Sequence, residues 1–150
     1  MDSESDHKIS DDYIRGLVEG EGTFTFSPSK TKYGRVKIPA FSIKMHIRDK
    51  ALIEKVRDKL GLKNRVYVYH HKGNDGANRG PQAMLIVREI NNLKDVIVPF
   101  FYRKLKGNKA KQFDEWIHKI WKDSEVPHSY KLIYKPVSYT HLTLPTTPYV

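Results

Sequence analysis

The sequence of 150 residues contains no cysteine, and this absence removes several classes of protein at once. Without a thiol there is no disulfide framework, no zinc–thiolate site and no cysteine nucleophile. Any run approaching the ~18 apolar residues of a membrane-spanning helix is also missing. The acidic start MDSESDHKISDD lacks the basic and apolar regions of a signal peptide. We therefore expect a soluble intracellular protein, in the cytoplasm, the nucleoid or an organelle matrix, with no membrane partner.

Acidic side chains are also few. The sequence has 17 Asp and Glu residues and 27 Lys and Arg residues, which gives a net charge of +10. The imbalance is local. Residues 1–29 hold two basic and seven acidic side chains, whereas residues 30–72 hold thirteen basic and three acidic ones. Charge of one sign in one region indicates a polyanionic partner such as nucleic acid, although a solvated surface could also be basic.

The spacing of apolar residues changes along the chain and predicts an α+β fold in a single domain. We expect a helix from Tyr13 to Gly20 or Gly22, strands over 23–27 and 35–47, a helix over 49–60, strands over 65–71 and 82–88, and helices over 92–101 and 109–121. This αββαββα order predicts a four-stranded antiparallel sheet with helices packed on one face.

Three details of this prediction concern single residues. Pro39 is expected to mark a bulge or a phase shift within the second strand. Pro99 is expected to kink or restart its helix, because proline lacks the backbone donor. On the third strand, Val66 and Val68 are expected to face the core.

The sheet face away from the helices is predicted to be polar and of one sign, whereas ordinary solvent faces mix signs. A two-stranded ribbon fits the DNA major groove, where alternating side chains reach bases and cations meet phosphates. The candidate DNA contacts are Thr25, Ser27, Ser29, Lys30, Lys32, Arg35, Lys37, Ser42, Lys44, Arg48, Arg65, Tyr67, Tyr69 and Arg88.

The segment YIRGLVEGEGTF, residues 13–24, combines two unusual features. Gly16 and Gly20 lie four residues apart on one side of the first helix, which lets another helix approach closely. Glu21 lies at the end of the same helix, where the macrodipole is negative and carbonyls are unsatisfied. A carboxylate there is unfavourable without a cation, and it offers oxygen ligands to a hard divalent metal.

Residues 14–22, IRGLVEGEG, resemble the LAGLIDADG motif of homing endonucleases position by position, with conservative changes. The resemblance continues in FSIKMHIRDKALIEKV and in VPFFYRKLKGNKAKQFDEWI, and it covers residues 10–122. It implies a half-saddle that sits on double-stranded DNA, and a metal-dependent endonuclease that cuts both strands.

The same resemblance implies roles for individual residues. Glu21 would bind Mg²⁺ or another divalent cation with help from the Gly20 carbonyl, and Glu19 would be mainly structural. The active-site lysine would be Lys109 or Lys106. Met45 aligns with a position that is often a water-binding glutamine, so either His46 serves instead or catalysis is weakened.

A single motif is present, so one chain would supply half of an active-site pair. Family members with one motif act as homodimers, which predicts a nearly palindromic target. The predicted dimer contacts are Ile14, Gly16, Leu17 and Gly20.

The rest of the chain and the alternative functions complete the prediction. Residues 1–9 are expected to be a disordered leader and residues 123–135 a C-terminal extension. The uncharged stretch 136–150 contains VSYTHLTLPT, which resembles translated adapter DNA, so we expect a non-native or disordered tail. The alternative to an intron-encoded nuclease is a nonenzymatic nucleic-acid binder, either a maturase acting on intron RNA or a DNA-binding regulator. A generic basic RNA-binding protein would leave the spacing of Gly16, Gly20 and Glu21 to coincidence.

Overall fold

A computed structural model describes residues 8–72 and 78–134. The predictions for most of the leader and for the tail 136–150 lie outside the described residues, as does the central part of the loop after the third strand. Of the predicted C-terminal extension, the described part includes a 3₁₀ segment, His128–Tyr134.

The order of helices and strands agrees with the sequence prediction. The elements are α1 (Asp11–Glu21), β1 (Gly22–Thr31), β2 (Gly34–His46), a 3₁₀ turn (Ile47–Asp49), α2 (Lys50–Lys59), β3 (Val66–Lys72), β4 (Asn78–Val87), α3 (Ile90–Asn92), a π-helical segment (Leu93–Ile97), α4 (Val98–Phe101) and α5 (Asn108–Lys122). The four strands form one antiparallel sheet in the order β1-β2-β4-β3. The predicted α+β class and four-stranded antiparallel sheet are confirmed.

α1 begins and ends at chemically defined points. The Ser10 hydroxyl accepts a hydrogen bond from the Tyr13 backbone N–H at 3.0 Å, so it caps the helix as Ser commonly does. Ile14 and Val18 are fully buried on the inner side. The chain passes from helix to strand without a loop, because β1 starts at Gly22 directly after Glu21.

The core lies between the sheet and the helices and is rich in aromatic rings. The ring of Phe24 on β1 lies 5.2 Å from Phe41, 5.6 Å from Phe101, 5.0 Å from Phe113 and 5.2 Å from Trp116, measured between centroids. Offset and edge-to-face pairs at these distances stabilise a core beyond the area they bury. The cluster fixes β1 and β2 against α4 and α5, and so sets which sheet face stays open.

The predicted irregularity at Pro39 is absent. β1 and β2 pair without a bulge from Gly22 opposite Ile43 to Thr31 opposite Gly34. The Lys37 N–H points away from β1 and donates to the Glu125 carbonyl at 2.9 Å. Residue 39 points the same way, and β4 pairs with β2 only from Phe41 onward. Proline at 39 therefore removes no ladder hydrogen bond and needs no bulge.

Val68 is the second correction. Val66 is 7% exposed, as predicted, but Val68 is 43% exposed. It lies opposite the buried Ala83 on the helix side of the sheet. β3 is an edge strand, and the exposure of Val68 indicates that the helices do not cover this part of it.

A change of helix type coincides with Pro99, in agreement with the predicted restart. The π-helical segment Leu93–Ile97 runs directly into α4, and Pro99 lies in the first turn of α4. Proline is tolerated in a first turn, where its missing N–H costs least. Among the described helices, none is both long and apolar enough to cross a bilayer.

Candidate active site and nucleic-acid interface

The candidate site is the C-terminal end of α1. Glu21, its last residue, is exposed, and its carboxylate has no hydrogen bond or ion pair to any described residue. No basic residue lies in the last turn of the helix. The backbone N–H of Phe24, the regular helical donor to the Gly20 carbonyl, donates instead to Gln112 Oε1 at 2.9 Å. The predicted ligand atoms of Glu21 and Gly20 therefore lie at one helix end, outside the regular helical hydrogen bonds.

Gly22 and Lys109 hold the junction between α1 and β1. A Cβ atom on Gly22 would lie 2.6 Å from Val18 Cγ1, so only glycine allows this close approach of strand and helix. Lys109 on α5 donates from Nζ to the Gly22 carbonyl at 2.6 Å. This ammonium group supplies the cation that the negative end of α1 otherwise lacks.

Glu19 has a different role from Glu21. Its carboxylate accepts hydrogen bonds from the backbone N–H groups of Lys106, at 2.5 Å, and Gly107, at 3.1 Å. Gly107 is the N-cap of α5, where a negative charge is favourable. A Cβ atom on Gly107 would lie 3.2 Å from Glu19 Oε1, which leaves little room for a larger residue. Glu19 therefore fastens the loop before α5 to the end of α1.

The two candidate lysines are separated by these contacts. Lys109 Nζ is engaged by the Gly22 carbonyl. Lys106 is held only through its backbone, and its exposed ammonium group has no hydrogen-bond or ion-pair partner among residues 8–72 and 78–134. Of the two, Lys106 is the cation free to meet a ligand.

Met45 and His46 lie on opposite faces of β2. Met45 packs against the buried core. His46 points to the open face and lies opposite Gln82, and its Nδ1 accepts a hydrogen bond from the Arg48 backbone N–H at 3.1 Å. His46 lies three residues beyond Ile43, the partner of Gly22, which is about 10 Å along the strand. Met45 is therefore not at a position that could hold a water over the open face.

The open face carries eight of the fourteen predicted DNA contacts. On β1 these are the hydroxyl-bearing Thr25, Ser27 and Ser29, and on the other strands they are Ser42, Lys44, Tyr67 and Tyr69. The eighth is Arg65, directly before β3, whose guanidinium lies 5.2 Å from the centroid of the Tyr67 ring. Lys32 lies in the exposed β1–β2 turn, where its ammonium group lies 5.1 Å from the centroid of the Tyr33 ring. Arg48 lies in the 3₁₀ turn and Arg88 directly after β4, and both are exposed.

Lys30, Arg35 and Lys37 do not lie on that face. The prediction is wrong for Arg35 and Lys37, whereas Lys30 is predicted to follow the first strand and lies instead within β1. Because the register has no phase shift, all three alternate with the residues of the open face and point to the helix side. Lys37 is also occupied there, since its Nζ lies 2.9 Å from Asp123 Oδ2 and 3.3 Å from Glu125 Oε1.

This ion pair at the end of α5 affects both partners. The hydrogen bond to Asp123 raises the pKa of Lys37, with a further contribution from Glu125. The same hydrogen bond lowers the pKa of the Asp123 carboxyl. Lys37 therefore joins the β1–β2 ribbon to the segment after α5.

The predicted dimer contacts on α1 include both exposed and buried residues. A Cβ atom added to Gly16 or Gly20 would meet no described atom within 4 Å. Leu17 is partly buried, and Tyr13, which was not predicted, is 48% exposed. Ile14 is wholly buried in the core of its own chain, so its assignment to an interface is wrong.

Several contributions to the site were missed from the sequence. Gln112 and Trp116 on α5 bind β1 directly, and Trp116 Nε1 donates to the Thr25 carbonyl at 2.8 Å. The spacing of apolar residues along the sequence carries no signal for this hydrogen bond. In the described part of the chain, no three His, Asp or Glu side chains gather into a metal site.

Comparison with known proteins agrees with this geometry. The structure of I-LtrWI, a LAGLIDADG homing endonuclease bound to target DNA, matches with a TM-score of 0.60 and 26% identity, over 91% of this chain and 39% of that one. The I-SmaMI LAGLIDADG homing endonuclease bound to cleaved DNA matches with a TM-score of 0.59 and 25% identity, over 86% of this chain and 43% of that one. The homing endonuclease I-TnaI shares the fold, with a TM-score of 0.60 at 22% identity, over 91% of this chain and 99% of that one.

These matches place the fold among LAGLIDADG homing endonucleases, and the chain spans less than half the length of the first two. The family model described as LAGLIDADG endonuclease matches residues 14–120, well over half of the sequence. The chain belongs to this family, and the resemblance inferred from the motif is confirmed.

Proposed function

We propose that the protein is a site-specific DNA endonuclease that makes a metal-dependent double-strand cut as a homodimer. The observation that carries the proposal is the exposed Glu21 carboxylate, which has no partner among the described residues and ends α1 beside the open sheet face. A protein that only bound DNA or intron RNA would have no use for an unpaired negative charge there. This favours the nuclease over the maturase or regulator.

The donor set at the end of α1 fits a divalent cation such as Mg²⁺. Glu21 offers a carboxylate, and the Gly20 carbonyl has lost its regular helical donor; both are hard oxygen ligands. One chain is short of ligands, because the described residues form no group of three. A second copy of α1 would bring a second Glu21. When bound, the metal would polarise the scissile phosphate and favour a hydroxide nucleophile.

Homodimer formation is supported by size and by the exposed face of α1. The chain covers nearly all of I-TnaI but less than half of I-LtrWI and I-SmaMI, as expected of a protein that supplies one half of a larger assembly. Gly16 and Gly20 leave open space on the surface of α1, where another helix can approach. A two-fold axis along this face predicts a nearly palindromic target.

Lys106 is assigned the cationic role at the reacting phosphate. Its backbone is fixed by Glu19, while its ammonium group stays free to approach negative charge that develops on the phosphate. Lys109 is assigned to the α1–β1 junction. His46, on the open face but further along β2, is assigned a contact with DNA or with an ordered water.

The test is cleavage by the purified chain. The substrate is DNA in which the two sequences that flank the gene are joined directly, with the gene left out. It is incubated with the protein in Mg²⁺ and, as the control, in EDTA. We expect a double-strand cut in Mg²⁺ only, at the junction of the two flanks. Equal cleavage in EDTA would overturn metal dependence, and binding without cleavage in Mg²⁺ would favour the nonenzymatic alternative.

A further inference from the structure

Apolar side chains lie on the open sheet face, although the sequence predicts a polar and basic face. Four partly exposed side chains, which we call the apolar strip, lie on this face in two pairs: Val36 and Ile38 on β2, and Met84 and Ile86 on β4. Val36 and Ile38 reach this face because the strand keeps its alternation through Pro39. They lie in the part of β2 that β4 does not reach.

A line of hydroxyl groups runs beside the apolar strip. We call this set the hydroxyl row; it consists of Thr23, Thr25, Ser27, Ser29 and Thr31, the residues of β1 that share the open face. Ser27 lies directly opposite Ile38, and Ser29 lies opposite Val36. Each pair offers a small hydroxyl beside a branched apolar group.

The surroundings of the strip indicate which partner covers it. The described strand positions of the open face hold no acidic side chain, and Lys44, Arg65 and Arg88 lie at its margins. An apolar surface without surrounding charge would indicate a protein partner. This strip is instead surrounded by basic side chains, on a chain of net charge +10. The matching partner is a polyanion that exposes apolar groups, and in the DNA major groove that group is the thymine 5-methyl.

We propose that the apolar strip and the hydroxyl row recognise thymine methyl groups, so that each half-site carries A·T pairs where the ribbon crosses it. This rests on the proposed function and goes beyond it by naming the base class that is read. Val36 and Ile38 lie about 7 Å apart along the strand. That distance matches about two steps along a DNA strand, so the pair can contact bases that lie two steps apart.

The test separates the methyl group from base pairing. Bound sites are selected from randomised duplexes in EDTA, where cutting plays no part. Each thymine of the selected site is then replaced by deoxyuridine, which removes only the methyl group. We expect thymine enrichment in each half-site, and binding about three- to five-fold weaker per contacted methyl, the size expected for one buried methyl group.

Variants assign the effect to the strip. Val36→Thr and Ile38→Thr keep the branched shape while placing a hydroxyl in the strip, so the deoxyuridine effect should fall to nearly one-fold. Lys44→Gln is the control, and it should weaken binding to all sequences alike while leaving the thymine-to-deoxyuridine ratio unchanged. Sites without thymine enrichment, or an unchanged ratio in both threonine variants, would overturn this inference alone. Failure to select any DNA would overturn the proposed function with it.

Discussion

At the scale of single residues, the end of α1 divides its charged side chains into structural and free ones. Glu19 and Lys109 are both bound to backbone groups, Glu19 to the N–H groups before α5 and Lys109 to the Gly22 carbonyl. Glu21 and Lys106 are exposed and have no side-chain partner in the described ranges. The two bound residues position the two free ones.

This division predicts opposite phenotypes for the two lysines. Lys109→Met removes the hydrogen bond to Gly22, so the free energy of unfolding should fall by about 1 kcal/mol. Lys106→Met should leave unfolding unchanged but slow cleavage by about a hundred-fold, as expected when an electrostatic contact is lost at the transition state. Denaturant titration and single-turnover cleavage measure the two effects. The assignment is contradicted if Lys109→Met loses cleavage at full stability while Lys106→Met cuts normally.

How far single residues could be predicted depended on whether a local signal existed. Glu21 could be singled out because an acidic helix end is unfavourable on its own, and its carboxylate has no partner among the described residues. The choice between Lys106 and Lys109 depended on contacts with residues more than 80 positions away. Ile14 was misassigned because helical spacing does not say which neighbour covers an apolar side chain.

At the scale of elements, the β1–β2 ribbon is fastened to the segment after α5. The Lys37 side chain contacts Asp123 and Glu125, and its backbone N–H binds the Glu125 carbonyl. The ribbon extends beyond the part of β2 that β4 supports. These contacts are therefore the support for the half of the ribbon that carries Val36 and Ile38.

The pH dependence of this support follows from the two pKa shifts. The pKa of Asp123 is lowered on folding. Its contribution to the free energy of unfolding is therefore present above about pH 4, the pKa of Asp in an unfolded chain, and is lost as pH falls through the lower folded pKa. The pKa of Lys37 is raised on folding. Its contribution to the free energy of unfolding is therefore lost only when pH rises through the folded pKa, which lies above the unfolded value of about 10.4. The ion pair is intact between these limits.

Asp123→Asn tests the role of the ion pair. The pair is partly exposed, so the loss of folding free energy should be small, and it should vanish as pH falls below about 4. DNA affinity near neutral pH should nevertheless fall by several-fold, because the β1–β2 ribbon loses its support. Urea unfolding across pH and equilibrium DNA binding provide the two readouts. Binding equal to that of the wild type would show that the ribbon needs no support from this pair.

Element order was predictable because hydrophobic periodicity is a local signal, and all four strands were found in the predicted sequence order. The assignment of β2 side chains to the two sheet faces was not predictable, because the effect of Pro39 depends on where β4 stops pairing with β2. That is a property of the sheet and not of the strand. The same error placed Lys37 on the DNA face and concealed the apolar strip.

At the scale of the whole molecule, the exposed face of α1 predicts self-association. A Cβ atom at Gly16 meets open space, so the Gly16→Leu monomer should remain folded. It should sediment as a monomer and lose double-strand cleavage, because two copies of Glu21 no longer meet. Ala51→Leu, at an exposed position of α2, is the matched control and should leave both properties unchanged. A Gly16→Leu variant that still dimerises and cuts would place the interface elsewhere.

Cleavage of the selected target by Glu21→Gln shows whether Glu21 holds the metal ion that DNA cleavage needs. The substitution keeps the size of the side chain and removes its charge, and no described contact depends on that charge. If Glu21 holds the metal, we expect unchanged folding and dimerisation, DNA binding at least as tight as that of the wild type, and cleavage in Mg²⁺ slower by at least about a hundred-fold. Cleavage by Glu21→Gln at the wild-type rate would contradict this role.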